Sequence, residues 1–151
     1  MPSITTIGSM SARALGFAAN LFKLIPSVYT VNNGNGTVSK ITTAGVVTQA
    51  WATLASGAPV AIAIDSSGNV YTANYSNNTV SKITPAGVVT QAWATLASGA
   101  GPYGIAIDSS GNVYTANLGN GTVSKITPAG VVTQAWATLA SGAAPVGIAI
   151  K

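Results

Sequence analysis

The chain contains no cysteine, no histidine and no glutamate, and Asp65 and Asp108 are its two acidic side chains. Each absence excludes a class of chemistry. Without cysteine there is no disulfide staple and no thiolate nucleophile. Metal sites draw on clusters of His, Cys, Asp and Glu, and two carboxylates far apart in sequence do not form one. General acid–base catalysis rests on His, paired carboxylates or a perturbed Lys or Tyr. Serines are plentiful, but none sits in a Gly-x-Ser-x-Gly elbow or beside a base. The sequence alone therefore reads as a non-enzyme with no cofactor and no metal site.

Charged residues make up 5% of the 151, against a usual share of roughly 25%. Arg13, Lys23, Lys40, Lys82, Lys125 and Lys151 outweigh the two aspartates, for a net charge of +4. Scattered cations are not the clustered footprint that nucleic acid requires. Long apolar runs are missing too. The best stretch, from Ala14 to Ile25, is interrupted by Gly16, Asn20 and Lys23 and falls short of the roughly 18 residues of a membrane helix. Arg13 is the one cation that precedes it, and the run is short and interrupted, so it is a poor signal peptide. The compartment stays open between virion and extracellular space.

What is present is repetition. Val28-Tyr29-Thr30, Val70-Tyr71-Thr72 and Val113-Tyr114-Thr115 recur at intervals of 42 and 43 residues, as do Lys40, Lys82, Lys125 and Trp51, Trp93, Trp136. Asn69 to Ala100 matches Asn112 to Ala143 except at Tyr75/Leu118, Ser76/Gly119 and Asn78/Gly121. Within one copy, Asn69–Ala73, Thr79–Thr84, Val88 to about Thr95 and Gly104–Ile107 are short β-branched or apolar runs separated by Asn, Ser, Pro and Gly turns. Four antiparallel strands per copy predict an all-β chain of three β-propeller blades over residues 27–151.

Each copy resembles the NHL repeat. Pro102, Gly104 to Asp108, Gly111 to Asn117, Lys125-Ile126 and Pro128 to Gly130 carry the likeness. NHL propellers commonly have six blades, so the resemblance implies that two chains join into one ring. The phase of the repeat points the same way, because the copies start on a second strand at Val28 and stop on a first strand at Ile148 to Ile150. Strand exchange between chains through Val28, Tyr29, Thr30, Ile148 and Ile150 is the expectation, with a homodimer as product.

Residues 1–26 lie outside the repeat. Ala14, Phe17, Ala18, Leu21, Phe22 and Ile25 follow helical spacing with Pro26 as a stop, which predicts a docking arm, helical or extended, for a larger protein assembly. Residues 11 to 17 also resemble short N-terminal segments of phage tail-associated proteins.

Candidate binding residues follow from the repeat. Trp51, Trp93 and Trp136 either pack between blades or form an aromatic platform for a glycan. Lys40, Lys82 and Lys125 make a snorkelling face or a positive ring for an anionic partner. Tyr75 and Tyr103 occur in single copies, in loops released from repetition. Asp65 and Asp108 open Asp-Ser-Ser-Gly-Asn turns, where a carboxylate serves its own backbone. The functional expectation is a non-catalytic assembly module of a phage tail, virion or fibre, with a free lectin-like or peptide-binding propeller as the alternative.

Overall fold

The computed structural model describes residues 26–55 and 58–151. The docking arm expected over residues 1–26, with its phage-tail likeness, lies outside them apart from Pro26. Eleven strands run through the described residues in three antiparallel sheets.

The first sheet holds β1 (Ser27–Asn32), β2 (Thr37–Thr42) and β3 (Val47–Thr53) in that order. The second holds β4 (Pro59–Ile64), β5 (Val70–Asn74), β6 (Thr79–Ile83) and β7 (Val89–Thr95), with a single 3-10 turn over Tyr75–Asn77. The third repeats it as β8 (Pro102–Ile107), β9 (Val113–Asn117), β10 (Thr122–Ile126) and β11 (Val132–Thr138). Each sheet is a meander, and β4 and β8 lie side by side at the edges of their sheets. This is the blade arrangement of a β-propeller.

The core is a pair of layers between blades. Val38, Ala52, Leu54, Val70 and Ile83 fill the layer between the first and second sheets. Tyr71, Ala73, Val80, Leu96, Ile105, Val113 and Ile126 are among those that fill the layer between the second and third. Because both faces of the second blade are covered, β5 is buried along its whole length and not at alternate positions.

The outer strands carry a bulge. Register shifts opposite β3, β7 and β11 coincide with Ala50, Ala92 and Ala135 at φ of 48°, 46° and 45°. A left-handed alanine costs roughly 1 kcal/mol. The bulge precedes the tryptophan in each copy, and it accompanies a close approach to the next blade. A β-carbon placed on Gly87 would meet Trp51 Nε1 at 3.4 Å, and one on Gly130 would meet Trp93 Nε1 at 3.3 Å. These glycines, at φ of +84° and +85°, are where the fold requires a residue without a side chain.

One strand expected from the sequence is not formed. Residues 144–151, including Ile148 and Ile150, belong to no ladder. They still pass close to β8, since a β-carbon on Gly104 would meet Val146 O at 3.0 Å and Gly147 Cα at 3.1 Å. The segment takes an inner position, but β9, the partner of β8, is already paired on both edges, and no further strand among the described residues is offered to the segment.

Candidate functional site

Asp65 stands at the end of β4 and Tyr71 in β5. Asp65 Oδ1 accepts from the Ser67 and Asn69 backbone N–H groups at 2.9 Å each. Its Oδ2 accepts from Asn69 Nδ2 at 2.8 Å and from the Tyr71 hydroxyl at 3.1 Å. Partial burial pushes the Asp65 carboxyl up, but the hydrogen bonds from Asn69, Tyr71 and Ser67 outweigh it, and its pKa falls below the ordinary 3.8. Burial pushes the Tyr71 phenol up to about 12, helped by its bond to the Asp65 carboxylate and by that charge. Tyr71 is therefore a neutral donor at neutral pH, and Asp65 a committed acceptor.

Lys82 in β6 sits opposite Tyr71 in register. Its Nζ lies 5.5 Å from the centroid of the Tyr71 ring and 5.8 Å from that of Trp93, and the two rings meet edge to face at 5.1 Å. The ammonium forms no ion pair among the described residues, so the aromatic faces are its electrostatic partners. Asp65, Tyr71 and Lys82 on one blade, with Ser109, Ser110 and Pro128 on the next, line a cleft of 290 Å³.

The arrangement recurs. Lys40 Nζ is 5.8 Å from both Tyr29 and Trp51, and Lys125 Nζ is 5.6 Å from Tyr114. Asp108 repeats the turn, receiving Asn112 Nδ2 at 2.8 Å and the Tyr114 hydroxyl at 3.1 Å. The Asn112 side-chain bond leads in lowering its pKa, with backbone N–H groups and Tyr114 adding to it against a burial effect.

The other candidates fall elsewhere. Trp51 and Trp93 lie against the next blade and are half-buried, whereas Trp136 is exposed. Tyr75 in the 3-10 turn and Tyr103, which lies in β8 and not in the loop expected for it, come together edge to face at 6.1 Å, with both residues exposed. They do not reach the lysine cleft, whose lining comes from the Asp-Ser-Ser-Gly-Asn turns.

Sequence reading missed two sets of residues. Asn74 Nδ2 donates to Thr79 Oγ1 at 3.1 Å and Ser81 Oγ at 2.9 Å, while its Oδ1 accepts from Thr72 at 3.0 Å. Asn117 does the same with Thr122, Ser124 and Thr115. These buried polar ladders fix each blade, and the repeated Thr-x-Asn and Thr-x-Ser spacing was their signal. The second set is the cleft wall, Ser109 and Ser110. Their role depends on the neighbouring blade and left no local mark.

No protein-family model matches the chain, and no curated protein matches it. Solved structures do. A streptogramin B lyase superposes with a TM-score of 0.69 at 17% identity, covering 80% of this chain and 40% of that one. A virginiamycin B lyase from Staphylococcus aureus gives 0.60 at 21% identity, covering 72% and 40%. A protein of unknown function from Bacteroides thetaiotaomicron gives 0.57 at 24%, covering 71% and 30%. The fold is thus that of a β-propeller, and the chain spans less than half the length of these structures.

The comparison corrects the functional expectation. Two of these three structures are lyases, and none is described as a tail, virion or fibre component. Neither the assembly module, its lectin-like alternative nor the exclusion of an enzyme stands. The physical reason is that blades are a frame. Their turns carry the chemistry, so a count of His and Glu over the strands limits which groups react without making the protein structural.

Proposed function

We propose that the chain is part of a lyase-type propeller acting on a small, carbonyl-bearing organic molecule at the cleft between its second and third blades. The observation that supports this reading is Lys82. Its ammonium is held over two aromatic rings and lines the 290 Å³ cleft together with the neutral Tyr71 and with Ser109 and Ser110. A fixed cation there would stabilise negative charge on a ligand carbonyl oxygen. The serine hydroxyls offer orienting hydrogen bonds.

One solved lyase structure is a catalytically inactive histidine-to-alanine variant of the Staphylococcus aureus enzyme with quinupristin. This chain contains no histidine, so its own chemistry uses other groups. Asp65 is not the base, because all its bonds go to its own turn and to Tyr71. The NHL likeness of the repeats belongs to the same reading and favours a six-bladed ring around the site.

Quinupristin is the first molecule to try, followed by mass spectrometry over time. The expected result is its conversion by the wild type and at least a tenfold slower conversion by Lys82→Met. Unchanged quinupristin, or equal rates in the two proteins, overturns the assignment of this cleft.

A further inference from the structure

Nearly identical sequence is buried in the inner blades and exposed at the two outer faces. Val28 is 58% exposed, whereas its equivalents Val70 and Val113 are at 0%. Leu139 is 40% exposed against 5% and 4% for Leu54 and Leu96, and Trp136 is 54% exposed. Each exposed residue lacks the neighbour that covers its equivalents.

The two faces lack matching halves. Gly87 and Gly130 each receive a tryptophan from the preceding blade, but Gly45, at the same place in the first blade, meets nothing within 4 Å. Trp136 is the tryptophan without a glycine. Gln91 Nε2 donates to Thr53 O at 3.2 Å and Gln134 Nε2 to Thr95 O at 3.1 Å, stitching each outer strand to the one before it. Among the described residues Gln49 has no such bond, its Oε1 accepting instead from Ser39 in its own sheet at 3.3 Å. Thr138 O is the acceptor position that its equivalents predict.

The backbone is complementary as well. Among the described residues β1 has β2 on one edge and no strand on the other, where β5 and β9 have β4 and β8. Thr30 is exposed and reaches only its neighbour's carbonyl, Val31 O, at 3.4 Å, while Thr72 and Thr115 are buried on Asn74 and Asn117. Residues 145–150 supply an unpaired Pro-Val-Gly-Ile-Ala-Ile segment beside β8.

We infer that residues 145–150 of one copy form the missing inner strand of the first blade of a second copy, and reciprocally, so that two chains close into a six-bladed ring. The register follows from β8 on β9, where Pro102 faces Asn117, Ile105 faces Thr115 and Ile107 faces Val113. Transferred to the junction, Pro145 faces Asn32, Ile148 faces Thr30 and Ile150 faces Val28. The same step seats Trp136 on Gly45 and brings Gln49 to Thr138 O. Both junctions are identical, which gives a closed two-fold assembly instead of an open array. Six blades fall within the roughly four to eight that close a propeller.

The absence of cysteine makes the test direct. In the double variant Thr30→Cys/Ile148→Cys the two thiols face each other only across the junction, at the separation of directly opposed residues in an antiparallel pair. Mild oxidation is expected to give a species of twice 14.9 kDa on a non-reducing gel, and neither single variant is expected to do so. Light scattering on the unmodified 151-residue chain is expected to give the same doubled mass, and Ile148→Lys to shift it towards the monomer. A folded wild-type monomer, a ladder of higher masses, or cross-linking by a single variant overturns the inference.

Discussion

Replacing Tyr71 by Phe separates the hydrogen bond at the cleft from the packing around it, because the ring stays and the hydroxyl leaves. Tyr71 is buried in the layer between the second and third blades, and its hydroxyl donates to the Asp65 carboxylate at 3.1 Å. A bond to a charged acceptor contributes about 1.5–3 kcal/mol, and Asp65 keeps three other donors, so a loss of about 1–1.5 kcal/mol at pH 7 is expected. The pH dependence carries the sharper signature. The folded phenol is raised from 10.0 to about 12, so the unfolded chain gives up this proton first. The contribution is complete below the unfolded value and declines as pH rises through the folded one. The rise corresponds to about 2.7 kcal/mol in full, and solvent reaching the cleft reduces this to about 1 kcal/mol. Urea unfolding of both proteins at several pH values measures it. The stability gap is expected to narrow between about pH 10 and pH 12, and absorbance titration of Tyr71→Phe is expected to lose a transition near pH 12. A gap constant across that window would refute the assignment of the Tyr71–Asp65 bond as the cause.

Two further outcomes test the same frame. The Asp65 and Asp108 carboxyls are lowered in the folded state, so their stabilisation is present above the ordinary value of 3.8 and is lost as pH falls through the folded values. Asp65→Asn/Asp108→Asn is therefore expected to flatten the fall in stability below the ordinary value of 3.8, and an unchanged profile by urea titration would show that the turns do not titrate with folding. Leu96→Ala, at a position 4% exposed between the second and third blades, is expected to cost about 2–5 kcal/mol by the same measurement. A cost below about 1 kcal/mol would show that this layer is not tightly packed.

The blade was legible in the sequence because every device that builds it is local. Pro85-Ala86-Gly87 sets a tight turn, closed by Gly87 N–H on Thr84 O at 2.8 Å, and Val89, Trp93 and Val80 have the branching or aromatic character of strands. The Asp65 turn was legible for the same reason, since its acceptors and donors lie within six residues. The cleft was not, because Lys82 and Ser110 meet across two blades and neither sequence refers to the other. Pairing Tyr75 with Tyr103 was equally invisible, as the contact depends on how far one blade is rotated from the next.

Repetition also explains why side-chain counts misled the functional reading. Trp93 and Trp136 sit in the same Thr-Gln-Ala-Trp-Ala-Thr strand with the same left-handed alanine before them, at φ of 46° and 45°, yet one packs on Gly130 and the other stands in solvent. Burial here belongs to the neighbour and not to the residue. A repeated side chain has one role inside the array and another at its edge, and a cleft exists only where two turns face each other. The chemistry of such a chain is set by the junctions between copies, so a residue inventory taken over one copy understates what three adjoining copies can do.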